Sequence, residues 1–189
     1  MTVSIEVVRE PTDEVGQALR HLLPQLSSTA VPPDHAAVAA IIESPATTLL
    51  AARLDGRIAG LLTLAVFPIP TGMRAWIEDV VVDETARGQG IGRALTTEAL
   101  ALARAAGAKT VDLTSRPSRK AAGRLYARVG FTVRSTRLYR YTFDPGCRQD
   151  TKPPVRPPRP AAGQHRRGCC SGPARPAPHC HGRGCRARR

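Results

Sequence analysis

Residues 80–93 read Val80-Val81-Val82-Asp83-Glu84-Thr85-Ala86-Arg87-Gly88-Gln89-Gly90-Ile91-Gly92-Arg93. Three valines close a β-branched, apolar run from Met73 to Asp83 that also holds Trp76 and Ile77, the composition of a strand. Beyond the glycines, Ile91, Leu95, Ala99, Leu102 and Ala106 fall on one helix face, and Gly107 is a natural stop. The stretch is therefore strand, glycine loop, helix. Glycines let the backbone turn tightly and let a ligand approach without a Cβ in the way. A helix N-terminus adds unpaired N–H groups and the positive end of a dipole. Together they make an anion site suited to phosphates, and Arg87 and Arg93 add formal charge. Two familiar nucleotide loops are disfavoured. Arg93 stands where the third glycine of G-x-G-x-x-G belongs, and no Gly-Lys-Ser/Thr occurs. Taken alone, the loop also fits an ordinary turn.

Upstream, Val3 to Val8 alternates as an opening strand. Thr12 or Asp13 caps a helix carrying Val15, Ala18, Leu19, Leu22, Leu23 and Leu26, with Pro24 expected to shorten it. Pro32-Pro33-Asp34 starts a second helix with Val38, Ile41 and Ile42, stopped by Pro45. Thr47 to Arg53 and Arg57 to Phe67 are strands joined by Asp55-Gly56, a hairpin signal. Downstream, Thr110 to Thr114 is a short strand. Ser118 caps a helix through Ala121, Leu125 and Val129 that Gly130 ends, and Phe131 to Val133 and Leu138 to Phe143 are expected as two closing strands. The order β-α-α-β-β-β-α-β-α-β-β predicts one α/β (α+β) domain on a mixed sheet, residues 1–144.

The rest differs in kind. Residues 1–144 carry 17 Lys+Arg against 14 Asp+Glu, and residues 145–189 carry 11 against one, so nearly all of the net +13 sits in the last quarter. The high isoelectric point thus describes a tail, and no specific nucleic-acid partner is predicted for the domain. Residues 145–189 hold nine Pro, six Gly and all five Cys, with no Leu, Ile, Phe, Tyr or Trp. Such a segment buries too little apolar area to offset ordering its backbone, about 1–2 kcal/mol per residue, and is predicted to be a disordered Arg/Pro/Gly/Cys-rich tail. Its Cys and His spacings, including His179-Cys180-His181, fit no common zinc finger, so no metal is expected. No apolar run is long enough to span a bilayer or has the form of a signal peptide, which points to a cytoplasmic protein without a membrane partner.

The loop has a companion. Val80 to Gly92 resembles the acetyl-CoA loop of the GNAT superfamily of N-acetyltransferases, Arg/Gln-x-x-Gly-x-Gly/Ala after an apolar strand, matched at Arg87, Gly90 and Gly92. Leu125-Tyr126-Ala127-Arg128-Val129-Gly130-Phe131 resembles that family's second motif, Leu-Tyr-x-x-x-Gly-Phe, at the right remove. The resemblance covers about residues 3–143. It implies a GNAT-type N-acetyltransferase fold and acetyl-CoA as co-substrate. The backbone of Val80, Val81 and Val82 would hold the pantetheine arm and thioester, and Arg87, Gly88, Gln89, Gly90, Ile91, Gly92 and Arg93 the pyrophosphate. Tyr126 would be the general acid, since a phenol of pKa ~10 stays protonated at neutral pH. Glu78 is the candidate base, with Asp79 beside it. Alternation points the two to opposite faces unless a bulge intervenes, and many members of the family use water alone. Many members also place an Asn just before the Leu-Tyr pair, whereas Ser118 to Arg124 has none. The acceptor would be an amine on a small molecule or peptide, and a homodimer is compatible with the resemblance. The competing classes are a non-catalytic acyl-CoA-binding module of the same fold and a protein that associates with nucleic acid through its tail.

Overall fold

The computed structural model describes residues 2–143. By contact the chain divides into Met1–Arg137 and Leu138–Arg189, and every described helix and strand belongs to the first unit. Its elements are β1 (Val3–Val7), α1 (Asp13–Leu26), α2 (His35–Glu43), β2 (Thr47–Leu54), β3 (Arg57–Ile69) and β4 (Gly72–Val82). A 3-10 turn (Glu84–Ala86), α3 (Ile91–Ala105), β5 (Val111–Leu113) and α4 (Lys120–Val129) complete it.

The five strands form one sheet in sequence order. β1 to β4 pair antiparallel, and β5 runs parallel to β4. Asp55 and Gly56 both take positive φ, 48° and 86°, the twist a two-residue hairpin needs between β2 and β3. Alternation divides the side chains between two layers. Leu50, Ala52, Leu62, Leu64, Ala75 and Ile77 pack with Ile91, Leu95, Ala99 and Ala103 of α3 on one face. Leu49, Ala51, Leu61 and Val81 pack with Val15, Leu19 and Leu22 of α1 and Val38 of α2 on the other. Fully buried leucines such as Leu22, Leu62 and Leu95 contribute about 1.5–3 kcal/mol each, so both faces hold their helices firmly. The mixed α/β fold expected from the sequence is the fold observed.

Four local expectations need correction. Pro24 does not shorten α1, which runs to Leu26. So near the end, the proline's lost N–H bond and the crowding of its ring are confined to one turn, and Ser27 N–H still closes onto the Leu23 carbonyl at 3.0 Å. α4 is preceded by Arg119, with no capping side chain, while the Ser118 carbonyl accepts from Lys120 N–H. Phe131–Val133 is not a strand, because Phe131 folds back onto α4 and its N–H donates to the Tyr126 carbonyl at 2.9 Å. Leu138–Phe143 is not a strand either. A period-two pattern makes a strand only when a neighbour completes its ladder, and no Gly, Asn or Pro between 131 and 138 sets up a hairpin. In that second unit the Tyr141 and Phe143 rings meet edge-on at 5.1 Å. The expectation for residues 145–189 lies outside the described residues.

Candidate functional site

β4 is irregular where the sequence places the site. Leu61 pairs with Val81 and Thr63 with Glu78, so one residue of β3, Leu62, opposes two of β4, Asp79 and Val80. This is a β-bulge, whose extra residue is left out of the ladder. Asp79 takes it up at φ +51°, a left-handed conformation that few residues other than glycine tolerate and that aspartate accepts better than most. The bulge resets the facing. Ile77 and Val80 both pack on the α3 side, three residues apart, whereas Val81 packs under α1. Glu78 and Asp79 are both exposed.

The other edge of β4 is also open. β5 pairs only with Ala75, Trp76 and Ile77. From Glu78 to Val82, therefore, the β5-side edge of β4 has no strand partner among the described residues. Its N–H and C=O groups along that edge can bond a ligand lying between the two strands.

The glycine loop follows the 3-10 turn. Gly88 and Gly90 take φ of +83° and +81°, and a Cβ built at either meets nothing within 4 Å. That is a glycine conformation facing open space. Gly90 is the N-cap of α3 and supplies no side chain, whereas Thr12, Asp34 and Asp83 accept bonds from the first turns of α1, α2 and the 3-10 turn. The first N–H groups of α3, on Ile91, Gly92 and Arg93, are left uncapped. Arg87, Gln89 and Arg93 are exposed, and among the described residues neither arginine forms an ion pair. Ile91 is 1% exposed, so its side chain belongs to the core and only its backbone faces the loop.

The two sequence motifs meet at Gly92. A Cβ there would lie 2.9 Å from Leu125 Cδ1, closer than real contacts allow. Gly92 therefore brings α3 and α4 together, a packing role that differs from the ligand clearance its place in the loop implies. One residue on, Tyr126 is half-buried, with its ring edge-on to Phe131 at 5.8 Å. Burial raises its phenol above the ordinary tyrosine value, and the positive charge of Arg119 acts in the opposite direction. Gly130, at φ +109°, is the left-handed stop that lets Phe131 turn back onto Tyr126.

His21 is the residue whose role the sequence does not disclose. Read as a surface histidine, it sits with Nε2 at 2.6 Å from Asp83 Oδ2, at the start of the 3-10 turn. Sixty-two positions separate the two, so no local pattern marks the pair. His35 is exposed at the start of α2.

A mixed sheet whose fourth strand bulges and parts from its parallel neighbour, beside an uncapped helix N-terminus behind a left-handed glycine loop, defines an α/β class of fold with an opening whose chemistry suits an extended, anionic ligand. Residues 17–131, more than half of the chain, match the acetyltransferase (GNAT) family, and the chain belongs to it. Members of that family generally use acetyl-CoA as co-substrate. Solved structures agree. A transcriptional regulator from Bacillus halodurans C-125 is 26% identical, with TM-score 0.66 over 75% of this chain and all of that one. An acetyltransferase from Trypanosoma brucei is 27% identical, with TM-score 0.62 over 75% of this chain and all of that one. An aminoglycoside acetyltransferase, meta-AAC0020 from an uncultured soil metagenomic sample, covers 75% of this chain and 95% of its own with TM-score 0.65; at 21% identity it shows the fold alone. No curated protein matches the sequence significantly. No helix among the described residues is long and apolar enough to cross a membrane.

Proposed function

We propose that the chain is an N-acetyltransferase that takes the acetyl group of acetyl-CoA and passes it directly to an amine. The observation that carries this reading is the bare N-terminus of α3 behind Gly88 and Gly90, the one α-helix start in the described chain that pairs a left-handed glycine cap with open space. It fits a pyrophosphate, which backbone N–H groups and a helix dipole hold without a dedicated side chain. Arg87, Gln89 and Arg93 flank it. The open edge of β4 at Val80 to Val82 fits an amide-bearing pantetheine arm, which bonds as an added half-strand.

Bound there, acetyl-CoA supplies an acyl group already activated as a thioester. The residues of the chain do the rest. N–H groups at the Val80 bulge polarise the carbonyl that the amine attacks. The amine must give up its proton, and Glu78, exposed at the bulge, takes it directly or through water. As the new C–N bond forms and the C–S bond breaks, Tyr126 O–H donates to the departing sulfur. Its raised pKa keeps that proton in place across the neutral range. The acceptor class is an amine on a small molecule or protein, and the fold relative that acts on aminoglycosides belongs to the first kind. The protein is read as cytoplasmic, with residues 1–144 as the catalytic domain.

The test is calorimetric titration of acetyl-CoA into the full chain and into Gly90→Val, which cannot hold φ +81° without strain. Binding lost in the variant, together with acyl-dependent thiol release in an amine panel, supports the reading. No binding by folded wild-type protein overturns it.

A further inference from the structure

Among the described residues no side-chain hydrogen bond reaches Arg87 to Ile91, so the position of the loop is set at its two ends, by α3 and by the turn Asp83 to Ala86. That turn is tied to α1. His21 Nε2–H donates to Asp83 Oδ2 at 2.6 Å, because a carboxylate can only accept there. Gln25 Oε1 accepts from Glu84 N–H at 2.9 Å, which fixes the orientation of its amide. Gln25 Nε2 then donates to the His21 carbonyl at 3.4 Å; the ring nitrogen, 3.3 Å away, has its hydrogen committed to Asp83. Asp83 Oδ1 takes Thr85 N–H and Oγ1–H at 2.9 and 2.7 Å, so both carboxylate oxygens are engaged. One residue beyond Gln25, the Leu26 carbonyl accepts from Arg119 at the start of α4. The last two turns of α1 therefore bond both the root of the loop and the helix that carries Tyr126. The His21 side chain is 62% exposed, so it fills no core space and its contribution is this bond.

We propose that His21 and Gln25 are positioning residues that latch α1 onto the Asp83–Ala86 turn and hold the Arg87–Gly92 loop in its acetyl-CoA-binding geometry; this rests on the loop being the coenzyme site. The test uses the full chain as wild type, His21→Ala, Gln25→Ala and His21→Gln, the last placing a donor where Nε2–H lies. Two quantities are read: amide hydrogen exchange across residues 86–92 in the free protein, and the acetyl-CoA dissociation constant. His21→Ala and Gln25→Ala should each speed exchange there and weaken binding about three- to tenfold, with little change in melting midpoint, and His21→Gln should restore both. Unchanged exchange in the two alanine variants overturns the latch. So does a wild-type protein that binds acetyl-CoA measurably but no more tightly than they do. A wild type that binds no acetyl-CoA while the alanine variants still speed exchange overturns the coenzyme reading and the purpose given to the latch, while its mechanical tie stands.

Discussion

Single residues decide this site by different physics. Gly92 lets Leu125 pack close, since a Cβ there would push the Leu125 Cδ1 aside. Gly92→Ala should therefore turn Leu125 aside at a cost of no more than about 1 kcal/mol, partly offset by alanine's better helix propensity, and its effect should be less than additive with that of Leu125→Ala, because the second change empties the contact. Denaturant unfolding of both single variants and the double variant measures the coupling; additive losses would show that α3 and α4 do not meet there. Tyr126→Phe keeps the ring on Phe131 and removes only the O–H. Turnover should fall about a hundredfold or more with acetyl-CoA affinity unchanged; full turnover would remove Tyr126 as the acid, and a wild type that binds acetyl-CoA but transfers nothing would return the chain to the non-catalytic alternative. Asp83 is lowered from 3.8 to about 2, first by the Thr85 hydroxyl, then by the Thr85 N–H, with His21 adding less. A carboxylate with depressed folded pKa stabilises above its unfolded value and loses that as pH falls through the folded one. Wild type should thus lose stability between about pH 4 and 2 more steeply than Asp83→Asn, as acid unfolding would record.

At the scale of elements, legibility followed the distance over which each signal acts. β2, β3 and α3 are written in local periodicity, and Asp55-Gly56 in local turn chemistry, and all are found where the sequence places them. The bulge in β4 is not, because Ile77-Glu78-Asp79-Val80-Val81-Val82 satisfies either phase of a strand and only pairing with β3 selects one. The closing strands failed for the converse reason: the pattern is present, but among the described residues no strand pairs with it. The glycine loop and Tyr126 were legible as motifs, but the role of Gly92 was not, since Leu125 lies a helix and a strand away. The latch of α1 is fully non-local. The bulge also carries its own prediction. Asp79 pays a conformational penalty at φ +51° that glycine escapes, so Asp79→Gly should hold or raise stability by up to ~1 kcal/mol, and Asp79→Val should lower it by about 1–3 kcal/mol. Thermal unfolding of the two variants checks the sign; a stabilising valine would mean that the strand runs straight.

The whole molecule joins a nearly neutral fold to a strongly basic end, and the two halves of its charge make separable predictions. Residues 1–144 carry net +3 and residues 145–189 net +10. The proposed coenzyme site lies wholly in the first part and draws on backbone donors and the local charges Arg87 and Arg93. Removing residues 145–189 should therefore leave acetyl-CoA affinity unchanged. Polyanion binding has the opposite dependence. Arginines scattered among prolines and glycines release counterions from any duplex without reading its sequence, so affinity should fall steeply and linearly in log–log with salt. Fluorescence anisotropy of unrelated DNA duplexes at several salt concentrations, with the full chain and with 1–144, measures this. The full chain should bind them alike and lose them as salt rises, and 1–144 should bind none. Preference for one duplex, or binding that survives the deletion, would place nucleic-acid recognition in the folded domain and reopen the exposed Arg116, Lys120 and Arg124 as a contact surface.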